Sequence, residues 1–591
     1  MHKTSQTSRG REQGPMPIEM RSKTSTSQVF KKIRCRPQDP DRAGSIQREM
    51  NTSEVVARIL AARGFVPGSE LQNFISPTLK SGLPKPSELK NLDRASALIA
   101  KAHYAGGAIA ICCDFDVDGL SGGSIVHDFF NKVGVQSKVF VPDRFLDGYG
   151  LNEKTVREIA EQKFAVLLTI DFGTTNVKEL TLARSLGLQT VVVDHHHISA
   201  DPPPADVFIN PHQEGCHFAG SIACAAGLAW YLMLGLRREL KAEHLDVKDF
   251  LDLACLGTIC DMVPLIGMNR VIAKRGLEKL TETNRPGLRA LRNVAGIKGA
   301  VGCHDVSFGI GPRLNAAGRM VHGELVVELL TTNDSYRADK LARDLNELNL
   351  ERQETESIVK REAIAQIERL GGADWGLVAW SEEFHTGVIG IVAQRLVEHF
   401  YRPAAVMGMD SPGIFKGSVR GIKGFSVVEA LGAVSEHLIK FGGHEGAGGF
   451  SVAADKLEGF RSAFIAECKR RLALTETTPF VDADTDASLA EITVPLVHEL
   501  KSLAPFGIGN PNPQVRVRGL RVVDVKILKD AHLKVLLSDG QRFISGLMWR
   551  HTSHPALTPN AKVDIVFRPE ISSFRDSVEL QANLQAVEAV L

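Results

Sequence analysis

GAIAICCDFDVDG, residues 107–119, is a short apolar run that stops at three aspartates and a glycine. A run this short and this apolar reads as a strand buried on both faces, the kind found in parallel sheets. The segment SIVHDFFNKVG (124–134) that follows is helical in pattern. The rhythm then repeats. SKVFV (137–141), AVLLTI (165–170) and LQTVVV (188–193) are apolar runs, and 177–186 between the last two is helix-like. The last two runs each end at an aspartate, Asp171 and Asp194. Strands alternating with helices predict a parallel α/β sheet over 107–200.

The rest of the chain is organised around that sheet. At 591 residues, a prior of roughly 150 residues per domain predicts about four globular units. Hydrophobic residues make up 43% and charged residues 24%, which excludes a largely disordered or collagen-like chain. Lys and Arg number 70 against 69 Asp and Glu, so any polyanion must be met by local patches rather than a basic coat. No apolar run approaches the roughly 18 residues of a membrane span. Nine cysteines without a C-x-x-C pair argue against a disulfide framework and favour a reducing cytoplasm. Residues 1–50, polar and without a signal-like segment, are expected to form a disordered tail.

Residues 221–290 are helical in pattern. The segment 335–370 is charged throughout and lacks Gly and Pro, predicting one connector helix of about 50 Å; a hairpin broken near Asn349 is the alternative. A second α/β lobe is expected over 371–475. From 476 to 591 the period falls to two, as in QVRVRGLRVVDVKIL (514–528), HLKVLLS (532–538) and AKVDIVFR (561–568), predicting a small β-barrel.

Acidic and histidine clusters recur at element ends: Asp114, Asp116 and Asp118; Asp171; Asp194-His195-His196-His197; and Asp261 in LGTICDMVPL (256–265). Ligands of open parallel sheets gather beyond the C-terminal strand ends. Grouped carboxylates repel one another and need cations. Oxygen ligands with one or two imidazoles suit Mn²⁺ or Mg²⁺, and two such ions about 3.5–4 Å apart clamp a phosphate. Taken singly, each piece has a plainer explanation as a helix cap or turn residue. A calcium loop is disfavoured because Ile125 stands where its final Glu belongs.

With these residues in view, the sequence resembles the DHH phosphoesterase superfamily, and within it the RecJ single-strand-specific exonucleases. The resemblance rests on DFDVDG (114–119), PDRFLDGYGL (142–151), VDHHH (193–197), FGIGPRLNAAGRM (308–320), KGSVRGIKGF (416–425), GGHEGAGGF (442–450) and LAPFGIGNPNP (503–513), among others. It implies a DHH catalytic domain (51–334), the connector helix (335–370), a DHHA1 domain (371–475) and an OB-fold-like domain (476–591). It further implies that Asp116, Asp118, Asp171, His195 and Asp261 hold two divalent cations, Mn²⁺ or Mg²⁺. Asp114 matches a ligand or the neighbour of one, and His196 a contact to the scissile phosphate. Some relatives carry His four residues before Asp116, where this chain has Cys112.

Arginine binds two phosphate oxygens at once. Arg313, Arg319 and Arg420 lie beside glycine-containing motifs, as does Arg144. The resemblance places Arg144, Ser418 and Arg420 in a pocket for a substrate 5′ end. His444 follows a glycine pair that leaves backbone N–H groups open to an anion. Over 501–540, seven Lys and Arg face three Asp. Alternation puts Arg516 and Arg518 on one face of the barrel, a predicted single-strand groove poor in aromatic residues.

The expected activity is metal-dependent 5′→3′ degradation of single-stranded DNA to 5′-mononucleotides, in recombination and repair. A channel between two lobes would admit one strand and exclude duplex. Expected partners are a single-strand binding protein and a RecQ-type helicase, with no membrane and a monomeric state. Two other readings stand beside this one: a DHH phosphodiesterase of short oligonucleotides or cyclic dinucleotides, and a non-catalytic DNA-binding replication scaffold.

Overall fold

The computed structural model describes residues 30–142, 150–198, 202–218, 222–320, 323–371, 375–473, 477–574 and 577–590. Its first sheet has five strands, all parallel, in the spatial order Ser137–Phe140, Ile109–Cys113, Val166–Ile170, Gln189–Val193, Val207–Ile209. The chain reverses direction of travel across the sheet between Ile109–Cys113 and Val166–Ile170. That switch point opens a crevice at the carboxyl ends of these two strands.

Successive side chains of the strands point to opposite faces. Ile111, Cys113, Leu168, Ile170 and Val193 pack with the helices Val117–Val133, Ala225–Glu239 and Leu251–Cys260. Ala110, Leu167 and Val192 pack on the other face against Val156, Ile159 and Leu180 of Glu153–Glu161 and Val177–Ser185. Cys112 lies in this second layer, fully buried.

A single 35-residue helix, Ser335–Arg369, leaves the first lobe without a break at Asn349. Asp334 caps it by accepting from the N–H groups of Tyr336 and Arg337. Its first half buries Ala338, Leu341, Ala342 and Leu345 in the core of the first lobe. Its second half buries Val359, Ala363 and Ile367 in the core of the second lobe. The second lobe is a five-stranded sheet ordered Lys440–Gly443, Ala447–Ala453, Ile414–Arg420, Ala404–Ser411, Leu377–Ser381.

The C-terminal strands Val515–Leu528, His532–Ser538, Phe543–Met548, Ser577–Ala589 and Lys562–Phe574 pair in that order. Lys562–Phe574 pairs back onto Val515–Leu528, closing a five-stranded barrel.

The chain's start departs from expectation. Residues 1–29 lie outside the described residues, but 30–50 are folded rather than a tail. Lys32–Cys35 forms a strand parallel to Phe480–Ala483. The helix Pro40–Met50 starts at an Asp39 cap with proline in its first turn. It buries Ala43 and Ile46, and the helices Glu54–Ala62 and Ser69–Ile75 bury Val56, Ile59, Leu60 and Leu71, all in the barrel's core. The few apolar residues of this polar segment find their partners more than 400 positions away, which local composition does not reveal. Among the described residues, no helix is long and apolar enough to cross a membrane.

Candidate metal centre

Three aspartates continue the central strands by one residue each. Asp114 N–H donates to Ile170 O at 3.2 Å, Asp171 N–H to Val193 O at 3.0 Å and Asp194 N–H to Ile209 O at 3.0 Å. The sheet therefore delivers a row of carboxylates to the switch-point crevice. Asp116 caps the helix Val117–Val133, its Oδ1 accepting from the N–H groups of Asp118 at 2.8 Å and Gly119 at 3.2 Å. A Cβ at Gly119 would lie 2.6 Å from both N and O of Asp114, so only glycine lets the helix start this close to the strand.

Asp118 is buried, and its two oxygens accept from the N–H groups of Ala225 at 2.7 Å and Ala226 at 2.8 Å. These amides open the helix Ala225–Glu239, whose positive end favours the carboxylate. Asp171 carries a positive φ of 72°, which turns it out of the strand. His195 Nε2 stands 3.2 Å from Asp171 Oδ1 and 3.8 Å from both Asp118 Oδ2 and Asp261 Oδ2. Asp261 follows the helix Leu251–Cys260.

Three sets of ligand atoms each lie within 4.8 Å of one another: Asp114, Asp116 and Asp171; Asp118, His195 and Asp261; and Asp171, His195 and His196. Asp171 and His195 belong to two sets each, which joins the three into one cluster. All six metal-ligand candidates from the sequence, counting Asp114, thus converge with His196. Cys112 belongs to none of the sets found among the described residues.

The electrostatics fit this donor set to divalent cations. Burial, reinforced by Asp118 and Asp116, lifts Asp261 to about 8. Burial and the neighbouring carboxylates push Asp171 far above its ordinary value. Burial also raises Asp118, against the downward pull of His195. Burial lowers His195, leaving a neutral imidazole available as a ligand. Hard oxygen donors with a neutral imidazole, crowded until they resist ionisation, are stabilised by positive charge among them.

Asp194 has a different task, which the sequence motif alone does not reveal. Burial pushes its carboxyl up, but hydrogen bonds from His196 and Thr174 outweigh that and hold it well below the carboxylate range. Its Oδ2 accepts from Thr174 N–H at 3.0 Å. Asn210 Nδ2 donates to His196 O at 2.8 Å, fixing the same loop. Burial alone would lower His196, yet the bond to Asp194 leaves it raised.

The expected phosphate contacts separate. Arg144 lies outside the described residues, as does the side chain of Arg319. Arg313 does not join the cluster. Its Nε donates to Asn346 Oδ1 at 3.0 Å, Nη1 to Gly309 O at 2.7 Å and Nη2 to Val294 O at 3.3 Å. It braces its own helix, Gly311–Met320, against the connector helix. Ser418 and Arg420 do meet: Arg420 Nη1 donates to Ser418 Oγ at 2.8 Å. A Cβ on Gly390 would stand 3.0 Å from Arg420 Nη2 and 3.1 Å from Ser418 Oγ, so the pair flanks the start of the helix Ile389–Phe400. His444 is exposed on the adjoining hairpin. Arg516 and Arg518 share a face as expected, but both converge on Asp486, at 2.5 and 2.7 Å, which offsets part of their charge.

A cavity of about 2130 Å³ opens among the catalytic lobe, the second lobe and the barrel. Its wall includes Cys260 and Met262, which flank Asp261. Among its described lining residues, seven Lys and Arg outnumber three Glu. The exposed aromatic side chains Phe308, the first residue of the FGIGPRLNAAGRM motif, and Trp549 also face it.

Comparison with known proteins follows this division. The DHH family N-terminal domain matches residues 108–258, the DHHA1 domain 374–470 and the RecJ OB domain 483–586. The single-stranded-DNA-specific exonuclease RecJ of Bacillus subtilis (strain 168) is 33% identical over 543 residues, 91% of this chain and 68% of that protein. The protein of the same description from Escherichia coli (strain K12) is 30% identical over 574 residues, 93% of this chain and 98% of that one. The crystal structure of RecJ in complex with Mn²⁺ from Thermus thermophilus superposes with a TM-score of 0.81 at 28% identity, covering 95% of this chain and 80% of that one. The Mg²⁺ complex from the same organism gives 0.75 at 26% identity, covering 94% and 78%.

Proposed function

This chain belongs to the RecJ family of single-stranded-DNA-specific exonucleases, and on that premise we propose that it hydrolyses single-stranded DNA from the 5′ end to 5′-mononucleotides, in recombination and repair. The observation that carries the proposal is the cluster joined through Asp171 and His195, at the strand ends of a sheet that matches a Mn²⁺-bound relative.

Asp116, Asp118, Asp171, His195 and Asp261 are the residues that would hold two divalent cations, Mn²⁺ or Mg²⁺, with Asp114 alongside. Bound there, the cations supply Lewis acidity for water activation and neutralise charge on the phosphate. The chain's own groups do the rest. The Ala225 and Ala226 amides fix the rotamer of Asp118, so its oxygens are aimed before substrate arrives. Asp194 keeps His196 oriented and favours its protonated form, which can donate to a phosphate oxygen as negative charge builds there. Ser418 and Arg420 are assigned to the 5′-terminal phosphate, supported by their place beside the start of the helix Ile389–Phe400. His444, Arg516 and Arg518 are assigned to the backbone of the bound strand. Arg313 is assigned the role of a brace, since its donors already serve Asn346 and two carbonyls.

The domain limits expected from the sequence are retained for the lobes, with residues 30–75 added to the barrel's body. A monomer in the cytoplasm, supplied with single strands by a RecQ-type helicase and a single-strand binding protein, is part of the same proposal.

The test compares the wild-type chain with Asp171→Ala on a long 5′-phosphorylated oligonucleotide and on di- and trinucleotides. The wild type is expected to degrade the long strand with added Mn²⁺ or Mg²⁺, and the variant to bind it without hydrolysis. Full turnover by the variant, with contaminating nucleases excluded, would refute the assignment. A preference for the shortest substrates would instead mark an oligonucleotide phosphodiesterase.

A further inference from the structure

We propose that Asn210 is a positioning residue that sets the spacing between Asp171 and His195, and through them the separation of the two metal sites; this rests on the function proposed above and deepens it. Asp171 and His195 each belong to two of the ligand sets, so the gap between them governs whether two cations can share the cluster. His195 Nε2 stands 3.2 Å from Asp171 Oδ1. The two residues lie on different loops, one after Val166–Ile170 and one after Gln189–Val193. Main-chain pairing of these strands reaches Asp171 and Asp194. Beyond that point, side chains tie the loops together.

Asn210 supplies the tie from a third strand. It directly follows Val207–Ile209, the edge strand of the sheet, and is fully buried. Its Nδ2 donates to Thr174 Oγ1 at 3.2 Å, on the Asp171 loop, and to His196 O at 2.8 Å, on the His195 loop. Its Oδ1 accepts from His212 N–H at 2.9 Å. The two main-chain partners, one carbonyl and one N–H, allow only this orientation of the amide. Thr174 is itself buried, and its N–H donates to Asp194 Oδ2, which closes a circuit through both loops. Gly173, with a φ of 123°, leads the chain into Thr174. A Cβ there would lie 2.7 Å from Thr169 Oγ1 and from Val192 Cγ1, so the Asp171 loop already lies tight against the sheet.

The task needs an amide. Two donors in one plane reach the two loops at once, while the acceptor anchors the plane to the His212 main chain. Aspartate keeps the shape but turns an oxygen toward the His196 carbonyl, and alanine removes the tie. Asp194 orients His196 within its own loop; Asn210 acts on the gap between loops.

The test is Mn²⁺ binding to the full chain, followed by calorimetry and by electron paramagnetic resonance, which separates a spin-coupled pair of ions from isolated ones. The wild type is expected to show the coupled pair at two equivalents. Asn210→Asp and Asn210→Ala are expected to hold the first ion nearly as well, to bind the second about 10–100-fold more weakly, and to lose the coupled signal. In both, kcat should fall by a similar factor with KM for the strand little changed. Thr174→Val removes a single bond and keeps the test open if the Asn210 variants do not fold. It should weaken the second ion by about 2–10-fold, the worth of one hydrogen bond. The double variant Thr174→Val/Asn210→Ala should lose no more than Asn210→Ala alone, because both act through one tie. An intact coupled signal with unchanged second-ion affinity in these variants would overturn the proposal. Equal weakening of both ions, with a lowered unfolding midpoint, would mark a general structural role and overturn it too. A wild type that binds the coupled pair but leaves strands uncut would refute the proposed function alone.

Discussion

Asp194 Oδ1 accepts a 2.7 Å hydrogen bond from Nδ1 of His196, and the same oxygen receives the backbone N–H groups of His195 at 2.7 Å and His196 at 3.2 Å. One carboxylate thus sets both the loop that carries the two histidines and the charge of the second ring. Asp194→Asn keeps the size but removes the charge that favours the imidazolium. It is expected to lower kcat by about 10–100-fold, the usual cost of losing a residue that orients a ligand group. KM for the strand should change little, because the basic cavity wall is untouched. Steady-state kinetics on a uniform oligonucleotide checks this, and an unchanged kcat would strip Asp194 of that role.

Gly119 tests the packing that brings the first motif together. Alanine there places its Cβ 2.6 Å from backbone atoms of Asp114, and backbone cannot give way as a flexible side chain can. Gly119→Ala is expected to displace Asp116 and Asp118 and to weaken Mn²⁺ binding at least tenfold in calorimetric titration. Circular dichroism should report nearly the same helix and strand content, since the shift is confined to one turn.

The terminal-phosphate assignment predicts a change in substrate preference. Wild-type protein should favour 5′-phosphorylated over 5′-hydroxyl strands. Arg420→Ala removes hydrogen bonds to a charged group, worth about 1.5–3 kcal/mol, so the preference should shrink by about 10–100-fold. Equal rates on both strands in the wild type would refute the pocket.

Arg270 ties the catalytic lobe to the rest of the molecule. It is almost fully buried, and burial draws its guanidinium down to about 10. It donates to the carbonyls of Phe74, Leu503, Ala504 and Pro505 at 2.6, 2.9, 3.0 and 3.2 Å and sits 3.8 Å over the Phe74 ring. Close by, Leu265 N–H donates to Ile508 O at 2.7 Å, so the loop after Asp261 is held by the barrel's body. Arg270→Met leaves several buried carbonyls without donors, each costing about 1–3 kcal/mol. The expected result is a clearly lowered midpoint of thermal unfolding, partly restored in Arg270→Lys.

Much of this was legible in the sequence because it is local. The strand ends at Asp114, Asp171 and Asp194 announce themselves as apolar runs stopping at a carboxylate, and the glycine-free span 335–370 is one helix. Long-range partnerships left no such mark. The polar stretch 30–50 folds because Ile46 and Ala43 meet a barrel built from the other end of the chain. Arg313 sits in a motif that favours phosphate but is taken by Asn346 and nearby carbonyls. Arg516 and Arg518 alternate as expected, yet the carboxylate they share, Asp486, lies outside the window in which their charge was counted.

The central claim is that carboxylates and a histidine from four separate motifs share two divalent ions. Anomalous scattering from Mn²⁺-soaked crystals tests it most directly. Two peaks are expected, about 3.5–4 Å apart, within coordination distance of Asp116, Asp118, Asp171, His195 and Asp261. Peaks elsewhere, or none at these side chains at saturating Mn²⁺, would contradict it.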